Sequence, residues 1–320
     1  MIKLIELFSG IGTQHYAFSS YTDVNNIGIS EIDPRPLKAY KVLNGNYHNF
    51  GDITKITELP YADIWTYSFP CTDLSIAGKQ KGFSGEHSSL LYEVYRLLEC
   101  SSRPKVLVME NVSNLLNDKF KPQFDEWILA LEDLGYKSFW KKIKACSYGG
   151  GTIRDRVFMI SVLKDMPDFI FPPALAKKLT IKDFLEPIDE TYCIDSELFL
   201  YEELKPNYNN TIKITDYNRG GQGNRIYSIF GQGVTLTAQG GGKAGSSGGL
   251  YARPEGVFKL SPIEMCKVMG WNKTEAEKIC SVLTPREVGF CLGNAIDLCV
   301  MKALAKQIIE QYFQKNKEEA

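Results

Sequence analysis

Histidine is scarce in this 320-residue chain, which has only three, and its eight cysteines are scattered without a Cys-x-x-Cys pair. Structural metal sites and disulfide frameworks need closely spaced Cys and His residues. We therefore expect no metal and reduced thiols, as in a cytoplasmic protein. No apolar run approaches the roughly 18 residues that span a membrane. Glu6 interrupts the first apolar run and no cleavage site follows it, so we expect neither a signal peptide nor a membrane partner.

An excess of charge is also missing, because 37 Lys and Arg residues nearly balance 38 Asp and Glu residues. This balance excludes a histone-like basic coat and an acidic disordered tail. The charges are nevertheless unevenly distributed. Residues 205–259 contain seven basic and two acidic side chains, a local net charge of +5. A polyanionic partner is therefore compatible with this segment although the whole chain is nearly neutral.

The first half of the chain alternates apolar, β-type runs with segments of helical period. The β-type runs are 2–8, 27–32, 64–69, 106–109 and 157–163, and the clearest helical segments are 90–98 and 124–134. Near-continuous apolar strands between amphipathic helices predict a parallel sheet covered on both faces. We expect residues 1–164 to form a doubly wound, Rossmann-like α/β domain that binds its ligands at the carboxyl edge of the sheet.

The pattern changes after residue 164. Twelve glycines lie between Arg219 and Val257, and the strand–helix alternation fades. We interpret residues 165–257 as a smaller, irregular, loop-rich recognition domain; a flexible linker is the alternative for 240–249. From residue 258 to 320 the sequence predicts helices that return to the first domain, beginning with a capping box at Ser261 and Glu264.

Acidic side chains and a glycine turn mark a cofactor site at the sheet edge. Gly10 and Gly12 follow the first strand, Glu31 ends the second, and Asp52 ends the next segment. A carboxylate at the end of the second strand, here Glu31, can bind both hydroxyls of a ribose. Asp52 can accept a hydrogen bond from an adenine amino group. This set favours an adenosine-containing cofactor. It does not distinguish NAD from S-adenosylmethionine. The third glycine of the dinucleotide-binding fingerprint is missing, however, and its absence disfavours a ligand with a pyrophosphate.

Reactive side chains follow three later strands. Cys71 comes after Phe69-Pro70, Glu110 begins Glu-Asn-Val, and Arg154 and Arg156 flank Asp155. A thiol beside a carboxyl group can add to a heterocycle while the acid protonates it. Neighbouring guanidinium groups can favour the thiolate or hold a phosphate.

These motifs, in this order, resemble those of the cytosine carbon-5 DNA methyltransferases. The matching segments are Phe8-Ser-Gly-Ile-Gly12, Phe69-Pro-Cys71, Glu110-Asn-Val112, Arg154-Asp-Arg156 and Gly293-Asn-Ala-Ile296. The likeness covers essentially the whole chain. Segments 75–83 and 220–228 are especially similar to the small bacterial enzymes that modify GCGC.

The resemblance implies S-adenosyl-L-methionine as the cofactor. The residues expected to bind it are Phe8, Gly10, Gly12, Glu31, Ile32, Asp52, Ile53, Leu90 and Asn294. Ile32 stands where the family often has an aromatic residue that stacks on adenine, so this contact would be aliphatic.

The resemblance also implies catalytic roles. Cys71 would attack carbon 6 of a flipped cytosine, and Glu110 would protonate ring nitrogen 3. Arg156 would contact the target base, and Arg154 would support the site electrostatically. None of the departures from the family pattern removes a group that makes or breaks a bond, so we expect an active enzyme.

The implied partner is double-stranded DNA. Lys79 and Lys81 lie in a glycine-flanked loop that can close on phosphates. The candidate base-reading residues are Gln222, Arg225, Thr235 and Gln239. We expect a GC-containing target of about four to five base pairs, read in the major groove. A monomeric, cytoplasmic enzyme of a bacterium or phage is implied, acting with a separate restriction endonuclease or as an orphan.

Three other interpretations compete with this one. Some members of the family methylate a tRNA cytosine, but the glycine-rich segment with Thr235-Leu236 resembles a DNA reader. A catalytically idle DNA-binding protein would not need Cys71 and Glu110 together. A nicotinamide dehydrogenase is disfavoured by the missing third glycine and by the Pro-Cys loop.

Overall fold

A computed structural model describes residues 1–69, 90–175, 178–218 and 220–314 of the chain. Its larger sheet consists of β1 (Ile2–Leu7), β2 (Val24–Ser30), β3 (Ile64–Tyr67), β4 (Val106–Val112), β5 (Tyr136–Lys144) and β6 (Asp155–Leu163). These strands lie in the order β2-β1-β3-β4-β6-β5. The first four are parallel, whereas β6 is antiparallel to both β4 and β5.

The predicted doubly wound α/β architecture is confirmed, but the prediction of a wholly parallel sheet is wrong at one edge. Strand β5 is absent from the sequence-based prediction. Trp140, Lys141 and Lys142 are exposed on it, so it lacks the continuous apolar run of a buried strand. Exposed lysines are typical of edge strands, where they oppose pairing with another chain.

Helices cover both faces of the larger sheet. Those between its strands are α1 (Thr13–Ser19), α2 (Pro34–Asn44), α3 (Leu90–Cys100) and α4 (Lys121–Asp133). Alternate strand residues point to opposite faces. Val106 and Val108 thus share a hydrophobic core with α1, while Leu107 and Met109 share another with α3 and α4. Burial on both faces explains the nearly continuous apolar runs of the central strands.

A second sheet lies within the predicted recognition segment. Its strands are β7 (Cys193–Asp195), β8 (Lys213–Asp216), β9 (Arg225–Ser228), β10 (Leu250–Arg253) and β11 (Gly256–Lys259). Their order is β7-β11-β10-β9-β8, and each has only three or four residues. The sequence predicted no sheet here, because strands this short have no readable periodicity among the glycines. Ala244 and Ser247 are buried within the glycine-rich run, so that run is packed and is not a free linker.

The chain ends in four helices: α5 (Pro262–Val268), α6 (Lys273–Val282), α7 (Pro285–Asn294) and α8 (Leu298–Tyr312). The predicted capping box of Ser261 and Glu264 is present at the start of α5. Helix α8 packs its apolar face against α1 and the larger sheet. Within the described ranges no single helix is long and apolar enough to cross a membrane; α7 and α8 together pass on length and composition, with a bend of 42°.

A buried ion pair joins the second sheet to these helices. Arg253 of β10 donates from Nη2 to Glu264 Oε1 of α5 over 2.8 Å, and the two side chains are 4% and 3% exposed. Glu264 also accepts from the backbone N–H groups of Ser261 and Glu186. Because its carboxylate has several donors, the cost of burying its charge is offset.

We expect Arg253→Leu to destabilise the protein by about 3–5 kcal/mol, because removal of one partner leaves a buried carboxylate without its counter-charge. The free energy of unfolding in urea is the measurement. Lys306→Gln is the matched control, since Lys306 and Glu310 form an exposed pair. The control should change stability by less than about 0.5 kcal/mol. Equal, small effects of both substitutions would contradict a stabilising role for the buried pair.

Candidate active site

A cleft of about 470 Å³ opens at the carboxyl edge of the larger sheet, where β1 to β4 end and β6 begins. It brings together eight of the nine predicted cofactor residues, which are Phe8, Gly10, Glu31, Ile32, Asp52, Ile53, Leu90 and Asn294. The predicted catalytic residues Glu110, Arg154 and Arg156 line the same cleft. Residues far apart in sequence therefore meet in one cavity of the size that holds a cofactor.

The turn after β1 has an unusual backbone. Phe8 has a φ of 57°, a left-handed conformation that is rare for a bulky side chain, and Gly10 has a φ of 56°. Nothing lies within 4 Å of the point where a Cβ on Gly10 would stand. The backbone at Gly10 is thus open to a ligand, and a side chain there would occupy the cleft.

Gly12 has a different role from the one expected. It does not line the cleft but precedes α1, with a φ of 78°. A Cβ at this position would stand 2.3 Å from Asn44 Nδ2 and 2.5 Å from Tyr40 Cε2. Gly12 therefore allows α2 to pack closely against the turn. The sequence shows a glycine at both positions but not which glycine faces the ligand.

A buried carboxylate lies behind this turn. Glu6 accepts hydrogen bonds from the backbone N–H of His15 and from the hydroxyl of Tyr40. Burial raises the pKa of Glu6 to about 7 and lowers that of His15 to about 4. The sequence pattern around Glu6 gives no sign of these contacts. The contacts of Glu6 connect β1, α1 and α2 and so stabilise the turn from behind.

The carboxylate of Glu31 is fixed at the cleft by backbone donors. Oε2 accepts from the N–H of Gly10 over 3.0 Å, and Oε1 accepts from those of Ile32 and Asp33 over 2.8 Å each. On the same wall, the pKa of Asp52 is lowered by hydrogen bonds from Thr54. Both acidic side chains can present oxygen acceptors to hydroxyl or amino groups of a ligand.

Glu110 and Arg156 form an ion pair at the other end of the cleft. Arg156 Nε lies 3.1 Å from Glu110 Oε1, and the side chains are 16% and 8% exposed. The antiparallel pairing of β4 with β6 places Arg156 opposite Val112 and Glu110 opposite Phe158. A carboxyl group with limited solvent access and an adjacent cation can exchange a proton with a bound heterocycle.

Asn111 is a residue whose structural role the sequence analysis missed. Its Nδ2 donates to the backbone oxygen of Phe69 over 3.1 Å and so fixes the end of the segment that leads to Pro70 and Cys71. The sequence feature that could have identified Asn111 is its position between Glu110 and Val112 in the Glu-Asn-Val motif. Cys71 itself, with Lys79 and Lys81 of the predicted phosphate-binding loop, lies outside the described residues.

Arg154 lies beneath the site rather than in its open part, with 2% of its surface exposed. Its Nη2 donates to the backbone oxygens of Gly293 and Ala295 over 3.0 and 2.7 Å, and Nη1 contacts that of Leu236 at 3.5 Å. Burial, with a smaller contribution from Arg156, lowers the pKa of Arg154 to about 9. The guanidinium connects the catalytic edge to two distant segments.

Backbone pairing strengthens one of these connections. The N–H of Gly233 donates to the oxygen of Gly151, and the N–H of Ile153 donates to the oxygen of Gly233. Thr235 and Leu236, which follow Val234, are thereby held beside the segment that contains Arg154 and leads into β6. The predicted reading segment thus has a fixed position relative to the cleft.

The predicted base readers Gln222, Thr235 and Gln239 lie outside the strands, and Arg225 begins β9. Gln222, Arg225 and Gln239 are exposed, whereas Thr235 is half-buried. Their loops touch so closely that a Cβ on Gly223 would stand 1.8 Å from the backbone oxygen of Gly241. Ala244 also donates through its N–H to the oxygen of Gly223. The loop that contains Gln222 therefore packs against the glycine-rich run that follows Gln239.

Asp297 is a buried acid that the sequence analysis did not identify. It caps α8, and Oδ1 accepts from the N–H groups of Cys299 and Val300. Among the described residues, Oδ2 has no hydrogen-bond partner. Burial raises the pKa of Asp297 to about 6, although Arg154 opposes the shift.

Comparison with known proteins agrees with this geometry. The family model described as C-5 cytosine-specific DNA methylase matches residues 2–310. Type II methyltransferase M2.ScrFI of Lactococcus lactis subsp. cremoris is 32% identical over 289 residues, covering 88% of this chain and 76% of that protein. Type II methyltransferase M.HhaI of Haemophilus parahaemolyticus is 31% identical over 278 residues, 84% of each. The crystal structure of S. pombe Dnmt2 methyltransferase has the same fold, with a TM-score of 0.76, 18% identity and coverage of 98% and 100%.

The raised pKa of Asp297 gives a prediction for stability against pH. The folded state retains the proton up to about pH 6, whereas the unfolded chain releases it near 3.8. Stability contributed by this group is therefore lost as the pH rises between these values. In Asp297→Asn, which keeps the capping oxygen, this loss should be absent. The unfolding free energy of wild type relative to the variant should fall by roughly 2 kcal/mol between pH 4.5 and 7. A constant difference across this range would contradict the assignment.

Proposed function

Since this chain belongs to the C-5 cytosine-specific DNA methylase family and is a DNA cytosine methyltransferase, we propose that it flips a cytosine out of duplex DNA and methylates carbon 5 from S-adenosyl-L-methionine. One observation carries this proposal. The pair of buried Glu110 and partly buried Arg156 lies in the same cleft as the Glu31 carboxylate and the open backbone of Gly10, on the edge where β3 leads toward Cys71. An acid, a cation and a cofactor site are thereby combined.

The cleft fits the proposed cofactor. Its volume of about 470 Å³ and its open position at Gly10 leave room for a nucleoside with an amino-acid chain. Glu31 would accept from the ribose hydroxyls and Asp52 from the adenine amino group. Phe8, Ile32, Ile53 and Leu90 would supply apolar contacts, with Asn294 closing the cavity. When bound, S-adenosyl-L-methionine supplies a methyl group on a positively charged sulfur.

The catalytic steps follow from the poor reactivity of carbon 5 of cytosine. The Cys71 thiolate forms a bond to carbon 6, while Glu110 protonates ring nitrogen 3 and so prevents negative charge from accumulating on the ring. Carbon 5 is then nucleophilic like an enamine and would take the methyl group, with cleavage of the methyl–sulfur bond and release of S-adenosylhomocysteine. Loss of the carbon 5 proton to solvent, expulsion of Cys71 and return of the nitrogen 3 proton to Glu110 restore the aromatic ring.

Two arginines assist in different ways. Arg156 would contact the target base beside Glu110; its Nε lies 3.1 Å from Glu110 Oε1. Arg154 supports the site electrostatically from beneath and fixes its walls through three backbone oxygens. Lys79 and Lys81 would close on the DNA phosphates, offsetting part of the few kcal/mol that base flipping costs.

The segment of residues 165–257 would read the target. Gln222, Arg225, Thr235 and Gln239 would face the major groove, where guanine presents two acceptors to arginine. A GC-containing site of about four to five base pairs is our target hypothesis. The similar proteins M2.ScrFI and M.HhaI are type II methyltransferases, which supports a role beside a restriction endonuclease. We infer a monomeric, cytoplasmic enzyme of a bacterium or phage.

The first test measures methyl transfer from labelled S-adenosyl-L-methionine to duplex DNA and, separately, to tRNA. We expect transfer to DNA alone. Cys71→Ala should abolish transfer and the covalent adduct with DNA containing 5-fluorocytosine, while DNA binding persists. Glu110→Gln should lower kcat by about 10²- to 10⁴-fold, because the ring loses its proton donor.

The control for this test is Glu132→Gln, which removes an exposed carboxylate of α4 far from the cleft. It should leave kcat unchanged. Transfer to tRNA only would reject DNA as the substrate. Full turnover by Cys71→Ala would reject the nucleophile, and an adduct-free wild type would favour an idle DNA-binding protein.

A second prediction concerns the bases that are read. Arg225→Ala should lower discrimination at one base pair by roughly 1–3 kcal/mol, because a bidentate contact to guanine is lost. Sequencing of the methylated sites on a plasmid measures this change. Lys213→Ala, on the neighbouring strand and paired with Asp216, is the matched control and should leave the site preference unchanged. If Arg225→Ala also leaves it unchanged, Arg225 does not read a base.

A further inference from the structure

The wall of the cofactor cleft near Ile32 contains an aromatic side chain that the sequence analysis did not identify. Ile32 lines the cleft with 74% of its surface exposed, an unusual position for a large aliphatic residue. Phe290 of α7 lines the same cleft and is half-buried. Ile32 at the end of β2 and Phe290 of α7 thus both contribute apolar surface to the cavity.

The Phe290 ring is held by a cation. The guanidinium carbon of Arg35, in the first turn of α2, lies 3.7 Å from the ring centroid. Arg35 is itself oriented by Asp33, whose Oδ1 accepts from Arg35 Nε over 2.9 Å, and a second contact joins Arg35 Nη2 to Oδ2. This fork fixes the guanidinium plane, and a fixed plane is suited to stacking on an aromatic face.

Phe290 needs such support because it separates two cavities. A second cavity of about 950 Å³ is lined by Phe290, Arg35, Arg286 and Gln239. The ring therefore has open space on more than one side, although it touches the hydrophobic core. Packing alone leaves its position weakly determined, whereas the stacked guanidinium closes one side.

We propose that Phe290 is an aromatic contact for the heterocycle of the cofactor, in addition to Phe8, and that Arg35 is a positioning residue that holds Phe290 there. This inference rests on the proposed function, which identifies the ligand as S-adenosyl-L-methionine. Ile32 cannot stack as an aromatic ring does, and Phe290 supplies an aromatic surface from α7. Arg35 acts through Phe290 and does not itself line the cofactor cleft.

The experiment measures cofactor binding directly, by calorimetry with S-adenosyl-L-methionine and with S-adenosylhomocysteine. Phe290→Leu should raise both Kd values about three- to tenfold, through loss of aromatic stacking. Arg35→Gln should raise them about two- to fivefold. The double variant should bind as Phe290→Leu does, because Arg35 acts only through the ring. Phe290→Tyr should retain binding.

The neutral ligand separates stacking from charge. Removal of a cation would by itself favour the positively charged sulfonium ligand, so weaker binding of both ligands by Arg35→Gln cannot arise from electrostatics alone. Arg286→Gln is the matched control, since Arg286 lines the second cavity but not the cofactor cleft. It should change neither Kd. Duplex DNA binding and Tm should be preserved in every variant.

Three outcomes would overturn the proposal. Unchanged affinity in Phe290→Leu would remove the aromatic contact, and additive losses in the double variant would remove the positioning role of Arg35. Equal losses with Arg286→Gln would indicate a general charge effect. In each case the wild type still binds both ligands, so the proposed function stands. A wild type that binds neither ligand would reject the proposed function together with this inference.

Discussion

The hydrogen bonds of the buried Arg154 guanidinium are the interaction on which the arrangement of the cleft and the predicted reading segment depends. The guanidinium is buried at the start of β6 and donates to backbone oxygens of Leu236, Gly293 and Ala295. These oxygens belong to the predicted reading segment and to the junction between α7 and α8. A buried cation needs such acceptors because it has lost its hydration. The guanidinium therefore joins the segment that leads into β6 to the other two segments. Directional hydrogen bonds fix the relative positions of these three segments more strictly than side-chain packing alone.

The turn after β1 gives the cleft a second region of fixed backbone. Phe8 keeps a left-handed conformation, and the N–H groups of Gly10, Ile32 and Asp33 all point at Glu31. Strained backbone persists only where the surroundings fix it, and it is common at ligand sites. The Glu6 contacts behind the turn provide this support. The Glu31 carboxylate is thereby oriented before any ligand arrives, which lowers the ordering cost of binding.

Several features of the fold and site could be predicted because their causes are local. Apolar runs predicted the buried strands, and Ser261-Pro262 with Glu264 predicted the start of α5. The position of a side chain at a strand end predicted that Glu31, Asp52 and Glu110 would meet, and they line one cleft. The misses have a different cause. Strand β5 is hidden by its exposed lysines, and the role of Gly12 depends on contacts with Tyr40 and Asn44.

The sequence by itself determined which chemical groups are available and on which elements they lie, because residue type and strand or helix period are local properties. It also determined the family, through motifs in a fixed order. Only the tertiary structure decided which groups touch. The pairing of Glu110 with Arg156 joins residues 46 positions apart, and the stacking of Arg35 on Phe290 joins residues 255 positions apart. The burial of Arg154 brings distant segments around one charge. Such contacts depend on how the layers pack. No local pattern in the chain encodes the spatial distance between residues that are far apart in the sequence.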